Sequence, residues 1–434
     1  MSIPTAAERA IRRQIARHGA ITFSEYMARA LYGPGGYYSR HNAGADYYTS
    51  PQVHPAFGAL LTVHLFHLWT LLDRPRPFTI LEPGAGNGLL CGDILATAAY
   101  LPDGFHEAVR YIACDLRAMS GRERGEAQTH RIVADALRLP LRGGIGCVIS
   151  NELLDALPVH RVRMESSNLR ELYVDVESDV ADGYEGQLVE RVREPSTPLL
   201  ERRLVELGIE LSEGQTAEIC LLLEDWALSV ASVLDRGFAL TIDYGRSAVD
   251  LYDPGQRPHG TLVTYRAHRQ TDSPLEETGR QDITAQVDFT SAQSAGERAG
   301  LITVGNVAQG AYLSRLGLQA LRRNHSPPDQ PASGWITLPV GPNGLPPDSL
   351  PEPVIPSSDD GRDWLTGLTH LARPGGLGDF RVLVQAKGVP TEPATAALHW
   401  LDGQPASHGY SPAELAAMIP ACVLRLGPEH FRFG

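Results

Sequence analysis

Phe78-Thr79-Ile80-Leu81-Glu82-Pro83-Gly84-Ala85-Gly86-Asn87-Gly88, followed by the helix-forming run Leu89 to Ala99, is the stretch on which the fold turns. The apolar and β-branched run predicts a short buried strand, and the glycines predict a loop whose backbone approaches a ligand closely. The helix that follows would offer its unpaired N–H groups to a carboxylate or phosphate. Three more short strands follow, Val109 to Asp115, Arg131 to Asp135 and Gly146 to Asn151, with helical or loop connections between them. That alternation predicts a parallel, doubly wound, Rossmann-like α/β sheet with ligand residues at the carboxyl ends of its strands.

The spacing Gly84-x-Gly86-x-Gly88 differs from the G-x-G-x-x-G of dinucleotide sites, and Glu82 closes the strand. A carboxylate there suits the ammonium group of S-adenosylmethionine and repels a pyrophosphate. The loop therefore points to a class I S-adenosylmethionine-dependent methyltransferase; a dinucleotide oxidoreductase and a purely structural glycine turn are the alternatives. Asp115, ending the second strand, stands where an acid accepts the ribose hydroxyls. Asp135, with Ala136 beside it, stands where a carboxylate takes the adenine amino group. Each could instead be a solvent-facing aspartate.

The fourth strand delivers Asn151-Glu152-Leu153-Leu154-Asp155-Ala156-Leu157-Pro158. Methyl transfer is an in-line displacement, so the protein mainly positions a nucleophile and holds its charge. A guanidinium nitrogen, ordinarily titrating above about 12, needs carboxylates to orient it. Glu152 is the first catalytic candidate and Asp155 the second; either could instead cap the next helix. Tyr37, Tyr38, Asp243, Tyr244 and His268 are substrate-side candidates from loops, each with a structural alternative.

The remaining pattern predicts an N-terminal helical cap over residues 1–72, with a helix at 5–18 and a capping box at Thr22-Phe23-Ser24-Glu25. The methyltransferase domain is expected at 73–168 and 236–389, interrupted by an α+β insertion at 169–235. That insertion carries an antiparallel pair at Glu171 to Val176 and Gln187 to Val192, then helices near 198–208 and 216–235. Phe238 to Asp243, Leu301 to Val307 and Phe380 to Gln385 return to strand character, and 326–361 reads as a Pro-rich loop. In the extension 390–434, Leu398, Trp400, Leu401 and Phe431 would cover either this chain's core or a second copy in a homodimer.

Composition narrows the function. The net charge is -13, and the basic residues are almost all arginines scattered singly, with Lys387 the one lysine. A phosphate-tracking groove needs clustered positive charge, so nucleic acid is not an expected partner. The five cysteines lie far apart with no metal-ligand spacing, and no metal is expected. No stretch reaches the roughly 18 uninterrupted apolar residues of a membrane span. No apolar signal core opens the chain, so no membrane association and a cytoplasmic location are expected.

The order of these motifs resembles the MidA-type methyltransferases, a family related to the arginine methyltransferase that serves as a mitochondrial complex I assembly factor. The resemblance rests on Ile21-Thr22-Phe23-Ser24-Glu25-Tyr26-Met27, Gly36-Tyr37-Tyr38, Tyr48-Thr49-Ser50-Pro51 with Phe57-Gly58, and Leu81-Glu82-Pro83-Gly84-x-Gly86-x-Gly88. It extends through Asn151 to Val159, Ile242-Asp243-Tyr244-Gly245, Tyr265-Arg266-x-His268, Asp282-Ile283-Thr284-Ala285 and Gly378 to Leu383. The resemblance implies a donor site built from Glu82, Gly84, Gly86, Gly88, Asp115 and the Asn151-Glu152 turn, with Thr49, Ser50, Pro51 and Ala85 as further donor-side candidates. It also implies a protein arginine as acceptor. Gln52 stands where the family has a glutamate. A non-catalytic assembly protein keeping the fold, or a small-molecule N- or O-methyltransferase, are the other readings.

Overall fold

The computed structural model describes residues 4–39, 48–118, 129–177, 186–266, 269–325 and 360–390, and a minority of positions after 390. The expected loop at 326–361 and the residues Trp400, Leu401 and Phe431 thus lie almost wholly outside the described residues. Two compact units divide the chain: residues 1–47, 154–224 and 245–292, and residues 48–153, 225–244 and 293–434.

In the first unit, helix α1 (Ala6–His18) starts at Thr5, whose hydroxyl accepts the Glu8 N–H, and α2 (Phe23–Tyr32) starts at the predicted Thr22/Glu25 capping box. Ile11 and Ile15 of α1 pack with Phe23, Tyr26, Met27, Ala30 and Leu31 of α2 in one buried cluster. Strands His160–Glu165, Asn168–Val176, Leu188–Arg193 and Thr216–Ile219 form an antiparallel sheet. Leu172 opposes Val192 and Val176 opposes Leu188, which is the antiparallel pair expected from alternation. Residues 216–219, expected in a helix, form a strand instead: all four are buried and pair with His160–Arg163, and the helix is confined to Leu223–Val233. Pairing to a neighbouring strand outweighs local helix preference here.

The second unit is built on a seven-stranded sheet. Its strands are β1 (Phe78–Pro83), β2 (Val109–Asp115), β3 (Thr129–Val133), β4 (Gly144–Asn151), β5 (Leu234–Asp243), β6 (Ile302–Ala308) and β7 (Arg381–Lys387). They lie in the order β3-β2-β1-β4-β5-β7-β6. β1 to β5 are mutually parallel, and β7 runs antiparallel to both of its neighbours. This is the Rossmann-like sheet expected from the strand–loop–helix pattern. The order reverses between β1 and β4, and ligands of such sheets bind where that reversal opens a crevice at the carboxyl ends. Buried runs such as Phe238 to Ile242 are continuous because both faces of a central parallel strand are covered.

Helix α3 (Ala56–Leu71), expected as part of a cap, belongs to this second unit. Nearly all of its residues are buried, because a helix apolar on every side has no solvent face. Helix α4 (Leu89–Ala98) starts at Gly88, directly after the glycine loop. In the extension, Leu398, Leu415, Ile419 and Leu424 join the same buried cluster as β1 and α3, so Leu398 covers its own chain's core.

Candidate functional site

At the carboxyl ends of β1, β4 and β5, within the second unit, four segments meet. The first is the glycine loop. Gly84, Gly86 and Gly88 have φ of 75°, 54° and 78°, a left-handed series that only glycine adopts without strain. Ala85 N–H donates to Cys114 O (3.0 Å), and Gly88 N–H donates to Ala85 O (2.8 Å). Asn87 Oδ1 accepts the Leu89 N–H at 3.1 Å, capping α4. A Cβ at Gly86 would meet nothing nearer than Gly84 O at 4.0 Å, so the loop is open on that side.

Acidic side chains surround this loop. Asp115 Oδ2 accepts the Gly86 N–H at 3.0 Å and its Oδ1 accepts the Arg117 N–H at 3.2 Å. Asp135 accepts the Leu137 N–H at 2.9 Å and opens the short 3-10 turn Ala136–Arg138. Glu82 is buried, and Tyr111 OH donates to its Oε2 at 2.7 Å. Burial pushes the Glu82 carboxyl up to about 8; the Tyr111 hydrogen bond opposes the rise and the charge of Asp115 adds to it. It is thus a buried acid whose ionised form a nearby cation would favour. Sequence reading passed over Tyr111, which sits opposite Ile80 in the β1–β2 register and looks like any core aromatic of a strand.

The second segment is the turn after β4. Glu152 takes φ 50°, in the left-handed region, where a non-glycine residue stores strain that the surroundings must hold. Its N–H donates to Ile242 O (2.8 Å), and its Oε1 accepts Ser50 N–H (2.9 Å) and Asn151 Nδ2–H (3.0 Å). Burial pushes the Glu152 carboxyl up to about 8; Asp243 adds like-charge repulsion, and the bonds from Ser50 and Asn151 hold it lower.

The third segment ends β5. Asp243 is fully buried, its Oδ2 accepting Leu153 N–H (3.1 Å) and its Oδ1 accepting Tyr244 N–H (2.9 Å). The Tyr244 ring lies 5.6 Å from that of Phe380. A Cβ on Gly84 would come within 2.9 Å of Leu153 Cδ1, so the loop after β1 and the turn after β4 touch across the topological switch.

The fourth segment is Thr49-Ser50-Pro51. Gln52 Oε1 accepts Thr49 N–H at 3.0 Å, so the glutamine caps the short helix Ser50–Val53 where the related family has a glutamate. Ser50 is buried, with its Oγ within 3.3 Å of the Gln309 carboxamide, which also donates to Leu371 O (3.0 Å). Gln309 fixes this segment from the start of a late helix, a role that nothing local in the sequence signals.

Thus Thr49, Ser50, Pro51, Glu82, Gly84, Ala85, Gly86, Gly88, Asn151, Glu152, Asp243 and Tyr244 lie in one unit. Tyr37, Tyr38 and Asp155 belong to the other. There, Tyr38 OH donates to Asp282 Oδ2 at 3.0 Å and its ring stacks on Tyr32, and buried Asp155 accepts the Ala285 N–H on its carbonyl. His268 lies outside the described residues. Among the described residues, no group of three or more His, Cys, Asp or Glu side chains could hold a metal ion, and no helix is long and apolar enough to cross a membrane.

Residues 60–307, more than half of the chain, match the family described as "Putative S-adenosyl-L-methionine-dependent methyltransferase". The chain belongs to this family. A crystal structure of a Burkholderia thailandensis superfamily member bound to S-adenosyl-homocysteine matches with a TM-score of 0.70 and 27% identity, over 89% of this chain and 92% of that one. A native structure of an uncharacterized B. thailandensis protein of that superfamily gives a TM-score of 0.71 at 27% identity, over 90% and 94% of the two chains. Curated relatives include the human mitochondrial protein arginine methyltransferase NDUFAF7, 25% identical over 69% of this chain and 70% of its own. The Drosophila melanogaster homologue is 25% identical over 70% and 74%.

The methyltransferase therefore uses S-adenosylmethionine, and the residues around its glycine loop fit that donor. The positive-φ loop leaves open space at Gly86, Glu82 is a buried acid suited to an ammonium, and Asp115 already braces the loop. One expectation is corrected. The curated relatives are named as mitochondrial, which overturns a cytoplasmic location.

Proposed function

We propose that this methyltransferase modifies an arginine nitrogen of a partner protein, and that Glu152 orients the accepting guanidinium. The bound donor supplies an electrophilic methyl group on a sulfonium. The protein's part is to hold the acceptor nitrogen and its charge, which is worth most where water is excluded. The observation that carries the reading is the Glu152 carboxyl itself. It is held in a left-handed turn at the switch point, next to buried Asp243, where burial pushes it up to about 8. A guanidinium brings a cation together with N–H donors in a planar fork that matches a carboxylate. On its approach Glu152 ionises and accepts an N–H bond, while Asp243 keeps the turn in place through Leu153 and Tyr244. The names of the curated relatives, which are protein arginine methyltransferases, support the same acceptor class.

In the test, purified protein, labelled donor and candidate partner proteins are incubated together and the labelled protein is hydrolysed to amino acids. Labelled methylarginine, falling about a hundredfold in Glu152→Gln while donor affinity holds, is the expected result. Unchanged turnover in the variant, or label only in small molecules, overturns the proposal.

A further inference from the structure

The arginines that look scattered along the N-terminal sequence converge in the first unit. A cavity of about 380 Å³ is lined by Ala10, Arg13, Gln14, Arg17, His18 and Arg29. Spacing of three to four residues puts Ala10, Arg13, Gln14 and Arg17 on one side of α1, and Arg29 reaches the same cavity from α2. Neighbouring arginines are spent elsewhere: Arg12 pairs with Glu8 and donates to Gly186 O, and Arg9 donates to Pro4 O. Arg17 and Arg29, by contrast, have no hydrogen-bond or ion-pair partner among the described residues, and Arg13 donates only its Nε–H, to Arg9 O at 3.2 Å. Gln14 Oε1 is buried without a hydrogen-bond partner. Arg17 and His18 complement the negative end of the α1 dipole. That role does not explain Arg13, which is a turn earlier, or Arg29, which is on another helix.

In a chain of net charge -13, three cationic forks and a histidine around one concavity are an electrostatic exception. Guanidinium groups recognise phosphate through paired N–H bonds, and the Gln14 carboxamide lining the same cavity offers a hydrogen-bonding partner to a hydroxyl on the same ligand. We infer that this pocket between α1 and α2 binds a phosphate ester that carries a hydroxyl on the carbon next to the one bearing its phosphate, as a free metabolite or as the headgroup of a glycerophospholipid. It is a site separate from the one that binds the methyl donor, and its residues all belong to the other unit.

The probes are glycerol 3-phosphate, inorganic phosphate, glycerol and phosphatidylglycerol vesicles, titrated into the full-length protein at fixed salt. Saturable binding of glycerol 3-phosphate, tighter than that of inorganic phosphate and absent for glycerol, is expected. Arg17→Gln/Arg29→Gln weakens it at least about tenfold, because each lost charged hydrogen bond costs about that factor or more. Both arginines are exposed, so the variant keeps its fold, which an unchanged affinity for S-adenosylhomocysteine checks. Arg202→Gln, at an exposed position on a helix of the same unit, leaves binding unchanged. If vesicles bind and the soluble ester does not, with the same loss in the double variant, the phosphate is a lipid's and the pocket stands. No saturable binding of either, or equal binding by the double variant, overturns the inference.

Discussion

Glu82 gives the sharpest quantitative test. Its carboxyl, ordinarily titrating at 4.5, is pushed up to about 8 in the folded protein, chiefly by burial. The folded state therefore keeps a proton that the unfolded chain releases above 4.5. The stability contribution of that proton is fully present below 4.5, fades as pH rises, and is gone above about 8. Each pH unit in that window costs about 1.4 kcal/mol, so the whole loss is on the order of 5 kcal/mol, a large part of a typical domain's stability. Glu82→Gln keeps the shape and a hydrogen-bonding partner for Tyr111 and abolishes the titration. Urea unfolding at several pH values from 5 to 8.5 should show wild type weakening with pH, while the variant loses less, with a gap that widens to several kcal/mol at the alkaline end. Parallel curves would show that Glu82 ionises freely when folded and would refute the argument. The same carboxyl also reports on the donor. If the donor's ammonium is held there, binding at pH 7 drives Glu82 to ionise and releases close to one proton, seen as a dependence of the calorimetric heat on buffer ionisation. Glu82→Gln should remove that release and weaken the donor.

Three further outcomes follow from the geometry. Gly86→Val should abolish donor binding measured by calorimetry: φ 54° is strained for a branched residue by about 1–3 kcal/mol, and the side chain would fill the open side of the loop. Gly58→Ala places a Cβ 2.6 Å from Asp93 Cβ where α3 crosses α4, so the melting temperature should fall by the equivalent of about 1–3 kcal/mol with donor affinity intact in the surviving fold. Asp243→Asn removes the negative charge that raises Glu152, so the rise of kcat with pH should move to lower pH; an unchanged profile would disprove that coupling.

How much of this was readable in the sequence depends on whether the cause is local. The glycine loop, the Thr22 capping box and the strands β1, β2, β4 and β5 are set by residues within a turn or two and stand where the pattern puts them, whereas β3 lies two residues earlier than Arg131 to Asp135, leaving Asp135 to open a 3-10 turn. Thr216–Ile219 does not, because its strand state comes from His160–Arg163, more than fifty residues away. Tyr111 and Gln309 escape for the same reason: each is an ordinary core or helix-start residue until the sheet brings it to Glu82 or Ser50. The arginines of α1 and α2 show the converse, since a count along the chain finds them dispersed while the helical period gathers them.

The electrostatics of the donor-side acids connect these levels. Carboxyls exposed at strand ends titrate normally and cost little. Here β1–β2 pairing buries Glu82, and the Ser50 segment and the β5 end pack around half-buried Glu152, so both are pushed up to about 8. A fold that draws two acids out of full solvent at one strand-order reversal gives up stability that ordinary apolar residues would have kept. The arrangement makes physical sense only if cations arrive. Under the proposed function, an ammonium would relieve the Glu82 cost and a guanidinium the Glu152 cost. Ligand affinity at each acid should therefore increase with pH up to about 8, where the proton no longer competes.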